Sequence, residues 1–249
     1  MNENIQKYSD RAEKYEKSRP EYPTAILNYL LEYGFGKNSI IADIGSGTGK
    51  LSKIFFENGN KVYTVEPNEN MRKMADSLFG KYNNYFSMEG TAENTGLLDK
   101  SINFITVAQA FHWFDTVKAL TEFKRIIKDN GLLILIWNKN NTKTIFQKEY
   151  ENIFNSHVSN ENEIVHKILS ENDIINIYSL FHKKIIIENS IDNDFDDAIR
   201  GYFSSAYAPK EGTSEYSNIY NKIEILFRKH NINGMVKYNY DTEIYIGGI

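Results

Sequence analysis

The densest chemical signal in the chain is Asp43-Ile44-Gly45-Ser46-Gly47-Thr48-Gly49, an acid followed by three glycines at alternate positions. An apolar run, Ile40 and Ile41 among it, leads into the segment, and helical periodicity follows it. A strand that turns abruptly into a helix needs glycine there, both for the tight turn and for close approach of a ligand to the backbone. The bland alternative is a turn of this shape with no ligand.

Three ligand chemistries compete for such a turn. A phosphate-cradling loop needs GxxxxGK followed by Ser or Thr. Here Gly45 and Gly49 stand one residue too close, and Leu51 follows Lys50. A dinucleotide turn needs GxGxxG, but Gly49 falls one position early and Lys50 occupies the third glycine's place. A pyrophosphate would also have to tolerate the carboxylate of Asp43. A cationic ligand would welcome it. S-adenosylmethionine carries an amine and a sulfonium, so charge complementarity favours it.

Further candidates lie downstream. Glu66-Pro67 closes the second apolar run, where a carboxylate can accept both ribose hydroxyls, although an exposed strand end would look the same. Thr91-Ala92-Glu93 follows the third run, and Ala108-Gln109-Ala110-Phe111-His112-Trp113-Phe114-Asp115 follows the fourth. His112 is the sole histidine near the expected reaction point. It could act as a general base, or hydrogen-bond and shape the pocket.

The elements that must position these groups are legible as periodicity. Strands are expected at 39–44, 61–66, 85–89, 102–108 and 131–138, and helices at 24–33, 49–58, 68–79 and 116–128. Such alternation with short connections implies a parallel sheet with helices on both faces. After 139 the pattern changes. Residues 140–182 are rich in Asn, Lys and Glu with helical periodicity, and are read as a small helical cap. A strand at 184–188, helices at 194–206 and 214–230, and a final strand at 235–246 complete the chain. Alternation of Val236, Tyr238 and Tyr240 with polar neighbours marks that last strand as antiparallel with one wetter face. The expected fold is α/β: a Rossmann-like, doubly wound, mostly parallel seven-stranded sheet with an antiparallel last strand and a helical cap. Three parts follow: 1–139 with the N-terminal helices and cofactor-binding core, the cap at 140–182, and 183–249 completing the sheet.

Composition narrows the function. The 249 residues suit one core domain with an insertion. With 29 basic against 33 acidic residues, net −4, the chain lacks the basic excess of a nucleic-acid binder. There is no cysteine, which removes disulfides, thiolate metal sites and cysteine nucleophiles. The five histidines form no HxxxH or HxH pair, so no metal is expected. The N-terminus is polar and charged, and no apolar run is long enough to span a bilayer, which leads to the expectation of a soluble, cytoplasmic protein.

The glycine segment resembles motif I of the class I S-adenosylmethionine-dependent methyltransferases, D/E-x-G-x-G-x-G, in full. Glu89-Gly90-Thr91-Ala92-Glu93 is similar to the family's segment beside the adenine, and Ala108-Gln109 begins its substrate-facing motif IV. The likeness spans residues 38–138. It implies that Asp43, Gly45, Ser46, Gly47, Thr48, Gly49, Glu66, Pro67, Met71, Thr91, Ala92, Glu93, Ala108 and Gln109 bind S-adenosylmethionine, with S-adenosylhomocysteine as product.

Tyr8-Ser-Asp-Arg11-Ala-Glu-Lys-Tyr15, Arg19-Pro20-Glu21-Tyr22-Pro23 and Ala110-Phe111-His112-Trp113-Phe114-Asp115 resemble the small-molecule group around trans-aconitate methyltransferase. Ser204-Ser205-Ala206-Tyr207-Ala208-Pro209 and Tyr240-Asp-Thr242-Glu-Ile-Tyr245-Ile-Gly247 follow that group's frame, departing from it at Ala206 and Ile244. This likeness implies a small-molecule acceptor, methylated on a carboxylate or hydroxyl oxygen, that meets Tyr8, Tyr15, Arg19, His112, Trp113 and Tyr207. Tyr8 and Tyr15 could equally be packing residues of an amphipathic helix, whereas the fork of Arg19 suits a carboxylate. No Asp/Asn-Pro-Pro-Tyr-like segment follows the fourth strand, which argues against amino-group methylation on DNA bases or protein glutamine. Acceptors at nitrogen or carbon, macromolecular acceptors and a silent cofactor-binding module remain the alternatives.

Overall fold

A computed structural model describes residues 20–158, 169–205 and 208–249. Helix α1 (Ile26–Leu31) precedes strand β1 (Ile40–Ile44), helix α2 (Lys50–Glu57), β2 (Lys61–Val65), α3 (Glu69–Phe79) and β3 (Tyr85–Met88). Then come β4 (Ile102–Ala108), a single 3₁₀ turn (Phe111–Trp113), α4 (Thr116–Ile126) and β5 (Ile127–Asn140). Helices α5 (Ile145–Val158) and α6 (Glu171–Ile175) lead to β6 (Leu180–Asn193), α7 (Phe195–Phe203), α8 (Ser214–His230) and β7 (Val236–Gly248).

The strands form one seven-stranded sheet in the order β3-β2-β1-β4-β5-β7-β6. β1 to β5 pair in parallel, while β7 runs antiparallel to both β5 and β6. This is the Rossmann-like architecture expected. The reversal of strand order beside β1 opens a crevice at the carboxyl ends of β1 and β4, the usual ligand site of open α/β sheets.

Local sequence sets the helix starts. Asn68 accepts from the backbone N–H groups of Asn70 and Met71, and Asp115 accepts from that of Lys118, so α3 and α4 begin on side-chain caps. One core lies under α1, α2 and α3, with Ile26, Leu30, Ile54, Phe55 and Phe79 against Ile41 and Val62. The opposite face buries Phe123 and Ile126 of α4 against Ile44, Ile105 and Leu133.

The expected helical stretch 140–182 splits by packing. α5 joins α7 and α8 in a separate core in which Phe146, Tyr202 and Ile223 meet Val236 and Tyr238 of β7. Ile174 of α6 instead joins the sheet core. The strand expected at 184–188 extends to fourteen residues because β7 gives it a ladder from Leu180 to Asn193. Among the described residues, no helix is long and apolar enough to cross a membrane.

Candidate active site

The glycine segment is wound as a tight turn. Gly45 N–H donates to the Val65 carbonyl at 2.8 Å, and Gly49 N–H to that of Ser46 at 2.9 Å. All three glycines have positive φ, at 68°, 57° and 84°. A Cβ on Gly45 would stand 2.8 Å from Ala110 Cβ, and one on Gly49 3.1 Å from the Phe79 ring. At Gly47 a Cβ would meet nothing within 4 Å. Gly45 is therefore required by packing, and at Gly49 the Phe79 ring would have to give way by a few tenths of an ångström. At Gly47 the space over the backbone is open.

A cavity of about 210 Å³ is lined by Asp43, Gly45, Ser46, Gly47 and Thr48 on one side and Ala108, Gln109, His112 and Trp113 on the other. The sequence-predicted residues from the ends of β1 and β4 thus share one space. Asn138 and Asn140 of β5 and Tyr240 of β7 close it, with Pro20, Tyr22, Lys50 and Leu51 at the remaining wall. None of these seven was a candidate from the sequence. The two asparagines lie past the last apolar residue of their strand, and Tyr240 arrives only through the pairing Asn140↔Tyr240.

Asp43 is only 1% exposed. It accepts from Ser52 Oγ at 2.5 Å and Thr106 Oγ1 at 2.9 Å, so it also ties β1 to α2 and β4 beneath the loop. Burial outweighs these hydrogen bonds and pushes its carboxyl up to about 6. Glu66 accepts from Gly47 N–H and from Asn68 N–H, each at 2.9 Å. Its carboxyl is raised by burial, which those two donors and the Arg72 guanidinium oppose. Arg72 donates to the Glu66 carbonyl at 2.7 Å and pairs with Glu89 at 3.1 Å, clamping the ends of β2 and β3 together.

Gln109 has φ 55°, a left-handed conformation that non-glycine residues rarely adopt. Its N–H donates to the Ile136 carbonyl and its side-chain Nε2 to the Asn138 carbonyl at 2.9 Å. Held strain of this kind at a strand's carboxyl end is common at functional sites.

Other candidates lie outside the cavity lining. Gly49 closes the glycine turn itself, Glu66 is tied to the turn by a hydrogen bond and is followed by half-buried Pro67, and Met71 is buried in α3. Ala92 is buried in the core behind β3, and Glu93 accepts the Asp115 N–H at 2.9 Å, its carboxylate thus fixing the start of α4. Thr91 pairs with Asn94 through the backbone. Tyr8, Tyr15, Arg19 and Tyr207 lie outside the described residues. Among the described residues, no cluster of His, Asp and Glu could hold a metal ion.

Comparison with known proteins agrees with this geometry. Residues 42–135 match the family model described as a methyltransferase domain. An uncharacterized methyltransferase of Mycobacterium tuberculosis is 36% identical over 124 residues, which are 50% of this chain and 49% of that protein. One from Schizosaccharomyces pombe is 36% identical over 126 residues, 50% of this chain and 49% of that protein. The chain thus spans about half the length of the curated relatives it matches.

In fold, it is similar to a candidate type II methyltransferase from Anaeromyxobacter dehalogenans, with a TM-score of 0.75, 16% identity and coverage of 92% of this chain and 97% of that one. It is also similar to geranyl diphosphate C-methyltransferase of Streptomyces coelicolor in complex with S-adenosylhomocysteine, with a TM-score of 0.51, 12% identity and coverage of 91% and 78%. Residues 42–135 thus match a methyltransferase domain, and the chain as described shares the Rossmann-like fold of these solved structures.

Proposed function

We propose that the protein is an S-adenosylmethionine-dependent methyltransferase that moves a methyl group to an oxygen, carboxylate or hydroxyl, of a small-molecule acceptor in the cytoplasm. The observation that carries the reading is the open space over Gly47, in a cavity that also contains Asp43 and the strained strand end at Gln109. The residues fit the cofactor. Gly47 leaves room against its backbone, the buried Asp43 carboxylate sets a negative charge beneath the turn that favours an ammonium, and Glu66 sits one hydrogen bond from the loop.

When bound, the cofactor supplies a methyl group on a sulfonium with a good leaving thioether. The chain's own contribution is then alignment, which can supply roughly 7–11 kcal/mol when reactants are well oriented. Trp113, in the cavity wall, offers an aromatic face to positive charge. His112, beside it, could take a proton from a hydroxyl acceptor, while a carboxylate acceptor needs no base. Cofactor binding falls to residues 1–139, and the acceptor side is shared with the C-terminal part through Tyr240.

The test is methyl transfer from isotope-labelled S-adenosylmethionine to a panel of small carboxylic acids and alcohols. Labelled ester or ether that is lost in Glu66→Ala supports the reading. Absence of labelled product across the panel, with the cofactor bound, would move the acceptor to another class.

A further inference from the structure

Asn138 is half-buried, two residues past the last buried position of β5, and lines the cavity together with the glycine turn. Its side-chain Oδ1 accepts from Thr242 Oγ1 at 2.6 Å, across the antiparallel pair Asn138↔Thr242. Thr242 is fully buried, and its hydroxyl has Asn138 as its acceptor. Turning the amide over would leave that hydroxyl hydrogen without an acceptor among the described residues, a costly arrangement in an interior. The amide is therefore keyed. Its oxygen faces β7, and its two N–H donors are the end left for the cavity. The backbone is held as well, because the Asn138 carbonyl accepts Gln109 Nε2 at 2.9 Å.

A carboxylate is a fitting partner for this pair of N–H donors. Lys50 lines another wall of the same cavity, only 9% exposed, with its ammonium paired to Glu21 at 3.1 Å. A bound sulfonium and ammonium would add positive charge. A carboxylate oxygen answers both the donor and the charge, and hydrogen bonds of this kind are stronger than neutral ones.

We propose that Asn138 is a ligand-recognising residue whose side-chain N–H groups bind a carboxylate oxygen in the cavity, and that Thr242 is the positioning residue that fixes its orientation. The proposal rests on the reading of the cavity as a methyl-transfer site. The carboxylate can come from the methionine end of the cofactor or from the acceptor, and the two sources are separable.

The test follows the Asn138 side-chain amide signals of the full chain by ¹⁵N NMR, identified by their loss in Asn138→Asp. Three probes are added: S-adenosylhomocysteine, its decarboxylated analogue, and sodium acetate on top of the S-adenosylhomocysteine complex. A downfield amide proton shift with S-adenosylhomocysteine but not with the analogue assigns the cofactor's carboxylate. A shift that appears only with acetate assigns the acceptor's. In either case Asn138→Asp weakens the responsible probe by about tenfold or more. Thr242→Val weakens it less and moves the amide signals, and Thr242→Ser restores both. Amide signals unmoved by all three probes, while other signals report that S-adenosylhomocysteine binds, overturn the proposal. Failure of S-adenosylhomocysteine to perturb any signal is a different result, which defeats the methyl-transfer reading itself.

Discussion

Gly47 donates its backbone N–H to Glu66 Oε2 across 2.9 Å, so the middle of the glycine turn is tied to the end of the neighbouring strand by one carboxylate oxygen. The other oxygen accepts Asn68 N–H. Each oxygen keeps a further lone pair, which is what two ribose hydroxyls require. Glu66→Ala removes all of these contacts and is expected to weaken S-adenosylhomocysteine by about ten- to hundredfold, whereas Glu66→Gln, which keeps one acceptor oxygen, loses less. Calorimetric titration of the two variants checks the order.

Gly47→Val separates folding from binding. The Cβ of the new side chain would meet nothing within 4 Å, so the main cost to the fold is the left-handed conformation at φ 57°, about 1–2 kcal/mol for an ordinary side chain and more for a branched one. The branched side chain would occupy the volume next to the loop backbone and abolish ligand binding. A folded variant with a lowered Tm and no ligand-induced stabilisation is the expected outcome. Retained binding would show that the ligand does not lie against Gly47.

Asp43 gives the site a pH dependence whose sign can be stated. Its carboxyl, pushed up to about 6 from an ordinary 3.8, is protonated more readily in the folded chain than in the unfolded one. The stability this contributes is therefore full below about 3.8 and is lost as pH rises through about 6. Binding runs the other way. A ligand ammonium prefers the ionised carboxylate, so S-adenosylhomocysteine should bind more tightly at pH 7.5 than at pH 5, by about tenfold. Asp43→Asn should flatten that profile. An equally steep profile in the variant would assign the dependence to another group.

Glu122 provides the structural counterpart. Its carboxylate accepts Thr95 N–H at 2.9 Å, Thr95 Oγ1 at 2.6 Å and both Nε and Nη2 of Arg125 at 2.7 Å, tying α4 to the loop after β3. The Arg125 guanidinium, with help from Thr95, holds its carboxyl down at about 2. Stability from this network is thus present above about 4.5 and is lost as pH falls toward 2. Glu122→Gln should raise the midpoint of acid unfolding and leave ligand affinity at neutral pH unchanged, as circular dichroism and calorimetry would show.

Much of this was legible in the sequence because the informative residues are local. The turn from Asp43 to Gly49 shows its strand, its glycines and its acid within seven positions, and α8 falls at residues 214–230 as its periodicity indicates. What escaped depends on partners far away in the chain. β6 has little alternation of its own beyond Lys184 to Glu188, and pairing with β7 supplies the rest of its length. Asn138, Asn140 and Tyr240 look like ordinary polar strand ends until the β5–β7 register brings them over the glycine turn. Asp43 was expected to face a ligand. It lines the cavity, yet most of it is buried, and its hydrogen bonds go to Ser52 and Thr106, neither of which stood out by spacing.

The central claim is that the cavity over Gly47 binds S-adenosylmethionine, and calorimetric titration of the full chain with S-adenosylhomocysteine tests it most directly. The account predicts saturable binding of one ligand per chain, abolished by Gly47→Val in a protein that remains folded. No heat and no stabilisation of the wild-type chain at saturating ligand would contradict it, and the glycine turn would then belong to some other chemistry.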